Sequence, residues 1–90
     1  MNIMEPPEAP AYHVEISTEA AADFAALSRE AREAIHQALD ALEAAPRRPG
    51  ARRRTAPGHF SLAAGPYRIL YAVDEEARLI TIQRIRPRPH

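Results

Sequence analysis

At 90 residues, with no cysteine and no apolar run near the ~20 residues of a membrane span, the chain is expected to fold around one core without disulfides, thiolate-bound metal or a membrane partner. The formal net charge of 0 conceals a segregation: residues 1–45 hold nine acidic groups against Arg29 and Arg32, and residues 46–90 hold ten arginines against Asp74, Glu75 and Glu76. All twelve Lys-or-Arg positions are arginine, the planar fork that fits phosphate and carboxylate, so the second half predicts a polyanionic or acidic partner and the first a solvated surface.

Met1 to Pro10 carries three prolines and two glutamates with no hydrophobic period, which predicts a disordered leader ahead of a single domain over 11–90. It lacks the charged-then-apolar pattern of a secretory signal, so a cytoplasmic location is expected. Tyr12, Val14 and Ile16 alternate with His13 and Glu15, predicting a short strand with one buried face and His13 turned outward. Ser17 or Thr18 then supplies an N-cap for a helix reaching about Leu27, with Ala20, Phe24 and Leu27 inward. Ser28 caps a second helix to about Ala45, where Ala31, Ile35, Ala38, Leu39 and Leu42 form an apolar stripe that Pro46 ends. Small residues on both helices predict a close antiparallel hairpin, with His36 on its surface.

Pro46 to Pro57 contains three prolines, a glycine and the run Arg52-Arg53-Arg54, and is expected to be a basic connecting loop in reach of RNA or an acidic partner. From Gly58 to Ala63 a strand places Phe60 and Leu62 on one face and His59 and Ser61 on the other. Gly65-Pro66 punctuates the chain before Tyr67, Ile69, Tyr71 and Val73, whose alternation predicts the central strand, with Arg68, Leu70 and Ala72 on its second face. A turn at Ala64-Gly65 would pair Ser61 with Arg68 and His59 with Leu70, gathering His59, Ser61 and Arg68 on one face. Beyond Asp74-Glu75-Glu76, Leu79 to Ile85 forms the last strand, expected to pair Ile80 with Tyr71 and Ile82 with Ile69, with Thr81 and Gln83 beside Arg68. Arg84, Arg86, Arg88 and His90 read as a basic tail broken by Pro87 and Pro89. The order predicts an α+β fold with the helices packed on one face of a small, mainly antiparallel sheet. The four histidines show no metal-ligand spacing and no glycine-rich phosphate loop is present, so neither metal nor cofactor is expected.

Over residues 12–88 this arrangement, and above all Gly65-Pro66-Tyr67-Arg68-Ile69-Leu70-Tyr71 and the closing Arg84-Ile85-Arg86-Pro87-Arg88, resembles the RelE/ParE-type toxins of bacterial type II toxin–antitoxin pairs. The resemblance implies the β-α-α-β-β-β fold, a cognate antitoxin that wraps the toxin in a hetero-oligomer, and one of two targets. RelE-like members cut messenger RNA in the ribosomal A site without a metal, and ParE-like members poison DNA gyrase. A third alternative is a member that only binds its antitoxin.

In the ribonuclease branch two basic residues precede the turn, and their places are His59 and Ser61 here, so one of the two is retained. The resemblance matches Arg68 to the phosphate-contacting arginine and Arg88 to the arginine beyond the last strand, while the family's later tyrosine would fall past His90. Metal-free RNA cleavage needs a base for the 2′-hydroxyl, an acid for the 5′-oxygen and cations for the phosphorane. The catalytic candidates are accordingly His59, Arg68 and Arg88, with Ser61, Arg52, Arg53, Arg54, Arg86 and His90 as substrate contacts.

Overall fold

Residues 12–89 are described by the structure, a computed structural model; the expected leader at 1–10 lies outside the described residues. β1 (His13–Ile16) leads into α1 (Thr18–Ala25) and α2 (Arg29–Ala44), followed by β2 (Arg52–Arg53), β3 (His59–Ala64), β4 (Tyr67–Asp74) and β5 (Leu79–Pro87). Both helices begin as their sequence dictates. The Ser17 hydroxyl accepts from Ala20 N–H at 3.0 Å and the Ser28 hydroxyl from Ala31 N–H at 3.2 Å, each satisfying a first-turn donor that has no partner within its helix.

The sheet runs in the order β1-β5-β4-β3-β2, with β1 parallel to β5 and the other neighbours antiparallel. α1 packs on β5, and α2 on β1 and β3, so both helices lie over the apolar face. Tyr71, Ile35, Leu42, Ile69, Ile80 and Ile82 are fully enclosed there, each apolar side chain contributing roughly 1.5–3 kcal/mol by leaving water. The Tyr71 ring stacks on Phe60 and its hydroxyl donates to the Pro46 carbonyl at 2.6 Å, so the buried phenol keeps a partner. Burial pushes the Tyr71 phenol up to about 12.

The structure departs from the sequence expectations at several places. The stretch expected to be all loop contains β2, a two-residue edge strand whose arginines carry no strand propensity of their own and are held by pairing with β3. The β3–β4 turn is Gly65-Pro66, not Ala64-Gly65: Gly65 takes φ +60 at the first turn position and Pro66, having no N–H, stays out of the ladder. Ser61 therefore pairs with Leu70, His59 with Ala72 and Arg68 with Ala63. A slip of two residues leaves each side chain on its expected face but moves it along the strand.

A further correction lies in β5. Ile80 pairs with Val73 and Ile82 with Tyr71, then a β-bulge at Gln83 resets the phase so that Ile85 meets Ile69 and Arg86 meets Arg68. Without the extra residue Ile85 would face outward and Arg86 would enter the core; with it Ile85 is buried. Ile16 also departs from its reading, being 45% exposed on edge strand β1.

Candidate functional site

The face of the sheet away from the helices is open, and the register fixes what it carries. His59, Ser61 and Ala63 stand on β3, and Ala72, Leu70 and Arg68 stand opposite them on β4. Beyond β4, Thr81 pairs with Ala72 and Arg86 with Arg68. Arg52, opposite Ser61, belongs to this face at the sheet edge, whereas Arg53, opposite Phe60, belongs to the helix-covered side. The pairing thus gives Arg52 and Arg53 to opposite faces of the edge strand.

Arg68 and Arg86 are the unusual pair. They are direct cross-strand neighbours, an arrangement that places Cβ atoms about 5 Å apart and is unfavourable between like charges. No carboxylate of the described residues pairs with either guanidinium within 4 Å. Arg88 joins the same corner, because its N–H donates to the Pro66 carbonyl at 2.9 Å and its guanidinium to the Gly65 carbonyl at 3.3 Å. Those neutral partners leave its charge in place. Three arginines expected from the sequence are therefore gathered at the turn end of the open face.

His59 is held at the other end. Its N–H donates to the Ala56 carbonyl at 3.1 Å and its carbonyl accepts from Arg54 N–H at 2.8 Å. Between His59 and Ala63, the residue opposite Arg68, run four residues of strand, about 13 Å. The structure thus separates His59 from Arg68 more than the expected register would. Arg54 spans part of that interval, donating to the Gln83 Oε1 at 3.4 Å from its place beside His59. With Arg53, Thr55, Ala56 and His59, Arg54 lines an open hollow of about 430 Å³. Ser61, expected to touch substrate, is only 6% exposed. His90 lies outside the described residues.

Asp23 and Gln83 have no obvious sequence signal for the roles they take. Asp23 accepts from Arg84 Nε at 2.8 Å, from Arg84 Nη2 at 3.2 Å and from Ile85 N–H at 2.9 Å. The Arg84 hydrogen bonds, and then the Ile85 N–H, hold the Asp23 carboxyl below the usual carboxylate range. The spacing Ile80, Ile82, Ile85 was the readable hint of the bulge that brings them together. Elsewhere, Tyr12 donates to Glu75, which also pairs with Arg47, and the Glu75 carboxyl is lowered by the Tyr12 bond first. This cluster ties the 46–50 loop to the β4–β5 turn, remote from the open face. Among the described residues no helix is long and apolar enough to cross a membrane, and no three His, Asp or Glu side chains converge as metal ligands.

Comparison with known proteins accounts for this architecture. Residues 14–89 match the family model of the ParE toxin of the type II toxin–antitoxin system parDE. A chain of the Mycobacterium tuberculosis RelBE2 toxin–antitoxin complex is 32% identical, with 87% of this chain and 99% of that one covered and a TM-score of 0.76. Two more distant structures share the fold. The isolated E. coli RelE toxin is 20% identical over 89% of this chain and 87% of its own, with a TM-score of 0.79. A chain of the chromosomal ParDE system from P. aeruginosa is 19% identical over 90% of this chain and 100% of its own, with a TM-score of 0.75. No curated protein matches. With the family model spanning β1 to the end of β5 and the Tyr67 to Tyr71 strand at the centre of the shared sheet, the chain belongs to the RelE/ParE family of type II toxin–antitoxin toxins.

Proposed function

We propose that this toxin is a metal-independent, ribosome-dependent messenger endoribonuclease, silenced by a cognate antitoxin in a hetero-oligomer. The observation that carries the reading is the opposed pair Arg68 and Arg86, with no carboxylate of the described residues in ion-pair range of either and flanked by Arg88. A phosphodiester is the group that relieves such a pair, since its negative oxygens accept from both forks. The antitoxin is supported by relatives that were solved as toxin–antitoxin complexes.

The residues divide the work by chemistry. His59 is the imidazole on this face, and as a general base it would take the proton of the 2′-hydroxyl. The 2′-oxygen forms its bond to phosphorus as the bond to the 5′-oxygen breaks, leaving a cyclic phosphate, and water protonates the departing oxygen. Arg68, Arg86 and Arg88 would bear the charge that gathers on the phosphorane. Because the 2′-hydroxyl and the phosphorus it attacks belong to one linkage, the side chains of His59 and Arg68 would have to reach toward each other over the ~13 Å of strand between them, converging on a single phosphate. Action on translating ribosomes would make the toxin cytoplasmic.

A second reading, inhibition of DNA gyrase by binding, is favoured by the ParE description of the matched family model and by the separation of His59 from the arginine corner. The deciding experiment adds toxin to programmed ribosomes with a defined messenger and maps its 5′ ends, with His59→Ala and Arg68→Ala alongside. Discrete A-site cuts lost in both variants are expected. Intact messenger together with blocked supercoiling by purified gyrase would replace the ribonuclease reading by the second.

A further inference from the structure

The arginines of the basic half divide into two groups once their partners are traced. Arg47 pairs with Glu75 and lies over the Phe60 ring, Arg78 lies over the Tyr12 ring, and Arg84 pairs with Asp23. Arg68 and Arg86 face each other with no carboxylate of the described residues in ion-pair range. Arg84 and Arg86 are two residues apart on one strand, so the sequence gives no reason to treat them differently.

The bulge supplies the reason. Gln83 is the residue without a partner between Ile82, opposite Tyr71, and Arg84, opposite Leu70. β1 ends at Ile16, so from there the outer edge of β5 needs other partners, and the segment around α1 provides them. Ser17 N–H donates to the Ile82 carbonyl at 2.9 Å, and the Ser17 hydroxyl to the Gln83 carbonyl at 3.0 Å. Ile85 N–H donates to Asp23 at 2.9 Å, and the same carboxylate takes Arg84 through two bonds. One side chain thus closes the bulge and neutralises the guanidinium beside it.

We infer that Asp23 is a positioning residue for the anion-binding pair: by holding Ile85 N–H and Arg84 together it fixes the phase at which Arg86 stands opposite Arg68, and makes Arg84 a strut rather than a substrate cation. A phosphate on the open face then meets Arg68 and Arg86 but not Arg84. The inference rests on the open face being an anion-binding surface.

The test uses the full chain and inorganic pyrophosphate, a probe that needs neither ribosome nor messenger, and follows the arginine Nε–Hε resonances by NMR. Those of Arg68 and Arg86 should move on titration while that of Arg84 stays. Arg86→Gln should cost pyrophosphate affinity about fivefold in the wild-type background and less in an Asp23→Ala background, where Arg86 is no longer held opposite Arg68 and Arg84 is freed to take its place. Equal losses in both backgrounds, a response at Arg84 in the unsubstituted protein, or no response at Arg68 and Arg86 would each overturn the assignment. If Asp23→Ala does not fold, Asp23→Asn keeps an acceptor for Ile85 N–H yet frees Arg84, whose resonance should then join the response; its silence would also count against the strut. Intact pyrophosphate coupling alongside uncut messenger on ribosomes would remove the ribonuclease reading and leave the strut standing.

Discussion

Ile69 and Arg68 are neighbours on β4, yet Ile69 is wholly enclosed beneath the helices while Arg68 stands half-exposed across from Arg86. On the covered side Ile69 stands between Leu62 and Ile85, both apolar and buried, and the buried Tyr71 hydroxyl is matched to a carbonyl. On the open side two like charges are held face to face. Burial dictates the first arrangement, because an unpartnered polar group there would be costly. The second is not explained by stability, since opposed cations weaken the sheet, and it is the arrangement that the proposed anion binding would use.

The largest expected effect is on the covered side. Ile69→Ala should cost about 4 kcal/mol of unfolding free energy in a denaturant titration, since the side chain is fully enclosed and the site cannot collapse between packed neighbours. A loss under ~1 kcal/mol would mean that the core is looser than the burial implies. One residue away, Arg68→Ala should reduce messenger cleavage about a hundredfold, roughly 2.7 kcal/mol in the barrier, with no loss in the unfolding midpoint, since the repulsion from Arg86 is relieved. Collapse of the cooperative transition in that variant would make Arg68 structural and erase the contrast between the faces.

Tyr71→Phe keeps the stacked ring but leaves the Pro46 carbonyl without its donor, so about 1–2 kcal/mol of stability should be lost. The same phenol sets an alkaline limit. Its folded value of about 12 lies above the ordinary 10, so the native state favours the neutral form, and that contribution is complete below pH 10 and lost as pH rises toward 12. Tyr71→Phe should flatten this alkaline decline. At the acid end the sign reverses: Asp23 is held below its ordinary 3.8, so its contribution is present above that pH and lost as pH falls below it. The smallest effect sharpens the comparison most. Arg86→Gln should raise stability by a few tenths of a kcal/mol while impairing cleavage, the opposite pairing of outcomes from Ile69→Ala.

Much of this was legible in the chain. Ser17 and Ser28 announce the helix starts, the Ala31 to Leu42 stripe announces the buried face of α2, and the alternation from Tyr67 to Val73 announces a strand with Arg68 on its second face. These readings are local: a hydroxyl meets a donor three residues on, and side-chain direction repeats with the period of its own element. The faces survived even where the register was displaced, because a two-residue slip preserves them.

What the tertiary structure alone decided depends on partners far apart in sequence. The parallel seat of β1 beside β5, the recruitment of Arg52 and Arg53 into an edge strand, and the ~13 Å of strand between His59 and the arginine corner follow from the paired register. So does the sorting of Arg84 from Arg86, which rests on a carboxylate 61 residues away in the chain. The sequence by itself determined which residues are basic and which face of the central strand Arg68 would take. Only the folded sheet decided which charges were neutralised and which were left to meet a ligand, because that choice depends on distances between groups no local pattern connects.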